Sequence, residues 1–151
     1  EDGIRDISVG LEFRRVLFRS DLIVRGMCGL LPDTKRHGGR LRIRSVVGEL
    51  LEHSRIYRFA VDGTVEVLAG SADLMERNLD RRVEVLFPLL DARSRLRAES
   101  VIASLLADTR NSWILQPDGA WLRSEEIDPA APERSTFEEL KLAAGRTGAT
   151  T

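Results

Sequence analysis

The sequence predicts an α/β fold, and three observations carry that expectation. Segments that alternate apolar and polar residues with a period of two, DLIVRG and RRVEVLFPLL, read as strands. Segments with apolar residues three and four apart, SVVGELLEH and residues 92–108, read as helices. Turn residues set between aromatic and β-branched runs mark two hairpins.

The elements follow in order. In DLIVRG, Leu22 and Val24 share one face and Ile23 and Arg25 the other, and Gly26 ends the strand in a turn. Arg25 therefore stands at a strand's C-terminal edge, where α/β sheets place their ligands. The polar loop PDTKRHGG, with a solvated His37, leads to SVVGELLEH, whose Val46, Val47, Leu50 and Leu51 have helical spacing and predict a helix ending near His53. A protonated imidazole there would be favoured by the negative end of the helix dipole.

RIYRFAV and TVEVLAG flank the Asp62-Gly63 pair and form the first hairpin. A short polar helix or turn, ADLMERNLD, leads into RRVEVLFPLL, where Val83, Val85 and Phe87 take one face and Arg82, Glu84 and Leu86 the other. Asp91 is a plausible N-cap for an amphipathic helix carrying Leu96, Val101, Ile102, Leu105 and Leu106. NSWILQPDGAWLR forms the second hairpin, with Trp113 and Trp121 as packing anchors near its ends. After the Pro-containing linker DPAAPERS, Ser135 and Glu138 have capping-box spacing and predict a final helix.

Composition narrows the possible functions. The chain has 151 residues, 42% of them hydrophobic, which suits one packed domain. Lys+Arg total 23 and Asp+Glu 24, so net charge predicts no polyanion partner, although Lys35, Arg36, Arg40, Arg42 and Arg44 crowd one stretch. No run approaches the ~18 apolar residues of a membrane span, so membrane contact would be peripheral. Cys28, the one cysteine, permits no internal disulfide; it reads as a small buried hydrophobe in a reducing, cytoplasmic setting. Nucleotide-binding P-loops, protein-kinase glycine loops, GxSxG elbows and His/Cys metal clusters are absent.

Residues 1–20, EDGIRDISVGLEFRRVLFRS, resemble the translation of a short-read sequencing adapter. Arg14, Arg15 and Arg19 interrupt their apolar stretch, so they fail as a signal peptide, and they are read as a non-native leader.

Four places could carry chemistry. His53, in HSR, could accept a phosphoryl group, donate a proton or contact phosphate, although from the residues alone a histidine in such a position is more often structural or solvated. Glu84 could hold an imidazole in one tautomer, or simply pair with a neighbouring arginine. Arg25 could grip a phosphate chain with its bidentate fork, or be a surface arginine. In GSAD, Gly70 permits close backbone approach, and Ser71 and Asp73 supply a hydroxyl and a carboxylate or helix cap.

The blocks LIVRGMCGLLP, RIRSVVGELLEHSRIYRF and GSADLMERNLDRRVEVLFPLLD, in this order and spacing, resemble the last catalytic domain of the long, histidine-phosphorylated type of polyphosphate kinase. The likeness runs from Asp21 to about Asp91 and more loosely onward. It implies a phospholipase D-like α/β fold, a mixed sheet flanked by helices and incomplete at its N-terminal side. Residues 21–125 would then be part of the C-terminal catalytic domain, and 126–151 a linker and C-terminal helix.

The resemblance also implies reversible transfer of the ATP γ-phosphoryl group to the end of a polyphosphate chain, with Mg²⁺ arriving on the nucleotide. Arg25 falls on the ATP-contacting arginine, His53 on the second functional histidine, which also contacts ATP, and Glu84 on the glutamate that would orient that imidazole. The phosphorylated histidine belongs to a preceding domain that no part of this chain matches, so the chain alone is expected to be inactive. The implied partners are ATP/ADP and inorganic polyphosphate, not nucleic acid, in a cytoplasmic homo-oligomer. The loop DTKRHGGRL lacks the acidic turn usual in the family. Two further readings stand beside this one. The first is a phospholipase D-like phosphodiesterase half-site, since His53, Arg55 and Gly70 to Asp73 echo HxK and GSxN. The second is a non-enzymatic polyanion-binding module using Arg36 to Arg44.

Overall fold

The computed structural model describes residues 19–26, 28–32 and 38–147. Residues 1–18 and 33–37, with Lys35, Arg36 and His37, lie outside them. The chain divides into two compact units, residues 53–102 and the described residues up to Glu52 together with those from Ala103 onward.

The first unit is built on a three-stranded antiparallel sheet of β3 (Ile56–Val61), β4 (Thr64–Gly70) and β5 (Leu86–Pro88). β3 and β4 form the predicted hairpin, Val61 pairing with Thr64 and Ile56 with Ala69. Its turn places both Asp62 (φ 48°) and Gly63 (φ 78°) in the left-handed region, the pairing that matches the twist of hairpin strands and that Asp-Gly tolerates best. Val67 of β4 is buried. The short helix α1 (Glu76–Arg81) lies between β4 and β5.

The second unit carries a four-stranded mixed sheet in the order β1-β2-β6-β7: β1 (Ser20–Val24), β2 (Leu41–Val46), β6 (Ser112–Leu115) and β7 (Trp121–Arg123). β1 and β2 are parallel, and the long connection over residues 25–40 permits that crossover. The other two pairings are antiparallel. Ile43, Val46, Leu115 and Phe137 are buried in this unit. Helix α2 (Ala92–Ala107) begins in the first unit and ends in the second, followed by α3 (Ser124–Ile127) and α4 (Thr136–Thr147). The α/β class, with sheets and flanking helices, is therefore as expected. Among the described residues no helix is long and apolar enough to cross a membrane.

Asp91 caps α2 as predicted, its Oδ2 accepting the Ser94 N–H at 2.8 Å. Ser135 precedes α4, and its carbonyl accepts the Glu139 N–H at 3.1 Å. The first helical N–H of α4, that of Thr136, is taken at 2.8 Å by Asp108 from just beyond α2.

Fully buried Asp108 thus ties three segments together. Its carboxylate also accepts the Asn111 backbone N–H at 2.6 Å and the Asn111 side-chain amide at 3.1 Å. Its carbonyl accepts Arg44 Nη1 at 2.7 Å and the Ser112 hydroxyl at 2.5 Å.

Two sequence expectations are corrected. No helix spans Val46 to His53: Val46 closes β2, and the Val47 N–H donates to the Asn111 carbonyl at 3.0 Å. Gly48 explains why, since a Cβ there would sit 2.1 Å from the Phe137 ring. Sheet pairing and the ring of a distant helix claim a stretch whose local spacing looks helical and whose Val-Val-Gly run propagates a helix poorly. The predicted strand from Arg82 is likewise only Leu86–Pro88, and Val83 is almost wholly exposed. Trp113 is more than a third exposed and carries the Arg123 guanidinium 5.5 Å over its ring, and Cys28 is only partly buried.

Replacing Asp108 with alanine removes the acceptor of three N–H donors and leaves the buried Thr136 N–H unpaired. The expected cost is roughly 3 kcal/mol, read as a lower midpoint in urea unfolding; a midpoint unchanged from wild type would contradict this role for Asp108.

Candidate functional site

The polar cluster of the first unit forms around residues 70–73, where β4 ends. The Gly70 N–H donates to the Arg55 carbonyl at 3.1 Å, and the Ser71 N–H donates to the Val85 carbonyl at 2.9 Å. A Cβ on Gly70 would lie 2.3 Å from that same carbonyl, so only glycine allows the 82–85 segment to close on this turn. Ser71 then replaces the sheet ladder. Its Oγ accepts the Val85 N–H at 3.0 Å and donates to Glu84 Oε2 at 2.5 Å. This is why the strand begins only at Leu86, since a side-chain hydroxyl takes the bond a strand partner would have made.

Glu84 is gripped from a second side by the Asn78 Nδ2, which donates to Oε1 at 2.8 Å from helix α1. Asn78 is buried, and its Oδ1 has no partner among the described residues, so the carboxylate alone orients the amide. The Ser71 and Asn78 hydrogen bonds hold the Glu84 carboxyl below the usual carboxylate range, with the nearby Arg82 and Arg55 charges adding to the effect.

Two residues further on, Asp73 receives three nitrogen donors. Arg55 Nε donates at 2.7 Å to Oδ1 and Arg55 Nη2 at 3.2 Å to Oδ2, a bidentate fork, while His53 Nε2 lies 3.2 Å from Oδ1. The Arg55 hydrogen bond is the main reason the Asp73 carboxyl sits below its ordinary range, with Arg55 charge and His53 contributing further. Tyr57 donates its hydroxyl to the Ala72 carbonyl at 2.8 Å, and partial burial pushes its own titration upward.

His53 and Glu84 therefore belong to one network, joined through the turn and not by direct contact. The expectation that Glu84 orients the imidazole is corrected in its geometry: the carboxylate on the ring is Asp73, and the Glu84 oxygens are taken by Ser71 and Asn78. His53 also follows no helix, so the expected helix C-terminus beside it is absent. Its side chain is half exposed. The partner role of Asp73 was visible in sequence only as the GSAD motif, which named the residue without naming its contact.

Arg25 lies in the second unit. It is exposed, directly after Val24, and is flanked by Gly26, whose backbone (φ 85°) turns away and whose N–H donates to Ser45 Oγ at 3.1 Å. The ladder on one side and the Ser45 hydroxyl on the other fix its backbone while leaving the guanidinium in solvent. Among the described residues no group of three or more His, Cys, Asp or Glu could hold a metal ion.

Residues 16–135 match the family model described as polyphosphate kinase C-terminal domain 2. The chain belongs to that family. It is 43% identical over 131 residues to a polyphosphate kinase of Synechocystis sp., covering 87% of this chain and 18% of that protein. A polyphosphate kinase of Thermosynechococcus vestitus is 44% identical over 120 residues, covering 80% of this chain and 16% of that one. The crystal structure of polyphosphate kinase from Porphyromonas gingivalis matches 87% of this chain and 20% of its own with a TM-score of 0.75 at 30% identity. The chain thus spans less than a fifth of the length of the two curated relatives.

Because both carboxyls titrate below their unfolded values, the stabilisation they give is complete above those values and is lost as pH falls through the folded ones. Carboxyl ¹³C NMR of this polyphosphate kinase family domain should show the midpoints of Asp73 and Glu84 displaced below those of free carboxyls; ordinary midpoints for either would contradict the hydrogen-bond network.

Proposed function

We propose that this chain forms the second C-terminal catalytic domain of an ATP–polyphosphate phosphotransferase, which reversibly transfers the ATP γ-phosphoryl group to the end of a polyphosphate chain. Family membership supports the reaction class. The observation that carries the site is the donor cluster of His53 and Arg55 on one carboxylate, because nitrogen donors that converge on a carboxylate can also meet phosphate oxygens.

In this reading Arg25 and His53 contact ATP. Arg25 offers its planar guanidinium fork to the triphosphate from a backbone set between a sheet ladder and a glycine turn. His53 acts as general acid or base, or donates a hydrogen bond to the moving phosphoryl group. Glu84 acts through Ser71, whose turn carries Asp73 and so the ring, as an ionised carboxylate fixed on both oxygens. Phosphoryl transfer requires mainly positioning and charge stabilisation, which these groups supply. Mg²⁺ enters as part of the MgATP substrate. The substrates are ATP/ADP and inorganic polyphosphate, not nucleic acid, and the whole enzyme is a cytoplasmic homo-oligomer.

The test grafts residues 21–125 into the corresponding segment of the Synechocystis polyphosphate kinase. The chimera should make polymer from MgATP, the isolated chain should not, and His53→Ala or Arg25→Ala should each lower the chimera's rate by on the order of 100-fold. Near-normal rates in either variant would refute that residue's assignment. Phosphodiester hydrolysis by the isolated chain would favour a phospholipase D-like half-site instead.

A further inference from the structure

Asp73 meets His53 on terms set by a third residue. The Arg55 fork grips both carboxylate oxygens, at 2.7 and 3.2 Å, and so fixes the carboxylate plane independently of the histidine. The backbone on the N-terminal side of Asp73 is tied as well: the Ala72 carbonyl accepts the Tyr57 hydroxyl, and Ser71 is bonded to Val85 through both its N–H and its hydroxyl. The imidazole therefore docks on a prebuilt acceptor, with His53 Nε2 at 3.2 Å from Oδ1.

An ionised carboxylate only accepts hydrogen bonds, so Nε2 must carry the hydrogen. A neutral imidazole has a single N–H, which leaves Nδ1 as its basic nitrogen. We propose that Asp73, held by Arg55, is the positioning residue of His53: it fixes the ring as the Nε2–H tautomer and presents Nδ1 to the phosphate substrate. In the neutral form Nδ1 accepts a proton; in the charged form its N–H donates to a phosphate oxygen. The Ser71 and Asn78 bonds engage both Glu84 oxygens elsewhere. This assignment deepens the proposed function and rests on it for the identity of the substrate, but not for the tautomer.

The experiment uses the full 151-residue chain with ¹⁵N-labelled histidine, His37→Gln separating the two ring systems, followed by NMR across the measured titration of His53 and read on its neutral side. His53 should show a protonated Nε2 and a bare Nδ1, with the Nε2–H protected from solvent exchange. Asp73→Ala should abolish that protection. Asp73→Asn, which retains an acceptor oxygen, should keep most of it, and Arg55→Lys, which keeps the charge but not the fork, should keep little. Inorganic polyphosphate should then shift Nδ1 more than Nε2. An Nδ1–H tautomer in wild type, or equal Nε2–H exchange in wild type and Asp73→Ala, would overturn the assignment. If Asp73→Ala fails to fold, the wild-type tautomer with the Asn and Lys variants decides. Absence of any polyphosphate effect, with the tautomer as stated, would count against the proposed function while leaving the positioning role of Asp73 standing.

Discussion

The approach of the Val85 carbonyl to the Cα of Gly70 is the contact on which the first unit's polar cluster depends. A Cβ would sit 2.3 Å from that oxygen, so the close approach exists only because residue 70 is glycine. The 82–85 segment closes on the turn, Ser71 bonds Val85 through both backbone and hydroxyl, and Glu84 comes within reach of Ser71 and Asn78. On the far side of the same turn, Asp73 is placed on Arg55 and His53. One steric permission thus sets the positions of two carboxylates and, through one of them, an imidazole.

The second unit uses the same economy with a different residue. Asp108 stands where α2 ends and satisfies the start of α4 and the loop leading to β6, while its carbonyl receives Arg44 from β2. Taking Arg44 out of water pushes its titration downward, with the Asp108 charge opposing that shift. In both units a short polar side chain at the end of a regular element organises the irregular segments that follow. Such groups are costly to leave unpaired, so they fix geometry more sharply than apolar packing does.

What could be read from the sequence follows from how local each determinant is. The hairpin at Asp62-Gly63, the N-cap at Asp91 and the strand before Gly26 were legible because neighbouring residues decide them. The stretch from Val46 was not, because its apolar spacing suits a helix while β6 and the Phe137 ring, far along the chain, impose an extended path. The strand expected from Arg82 failed for a similar reason: the Ser71 hydroxyl, 14 residues away, captures the Val85 N–H. Helix α3 (Ser124–Ile127) and the organising role of Asp108 left no periodic signal at all. For the site, His53, Glu84 and the GSAD turn were found as residue types, and the pairing of His53 with Asp73 across 20 residues required the fold.

Backbone hydrogen exchange at Ser71 and Val85 in a Gly70→Ala variant tests this dependence most directly. If the glycine contact holds the cluster, both amides should be protected in the wild type and should exchange about tenfold or more faster in the variant. Amides of the β3–β4 hairpin should keep their protection. Unchanged protection at Ser71 and Val85, in a variant that retains the hairpin, would contradict the claim that this close approach organises the site.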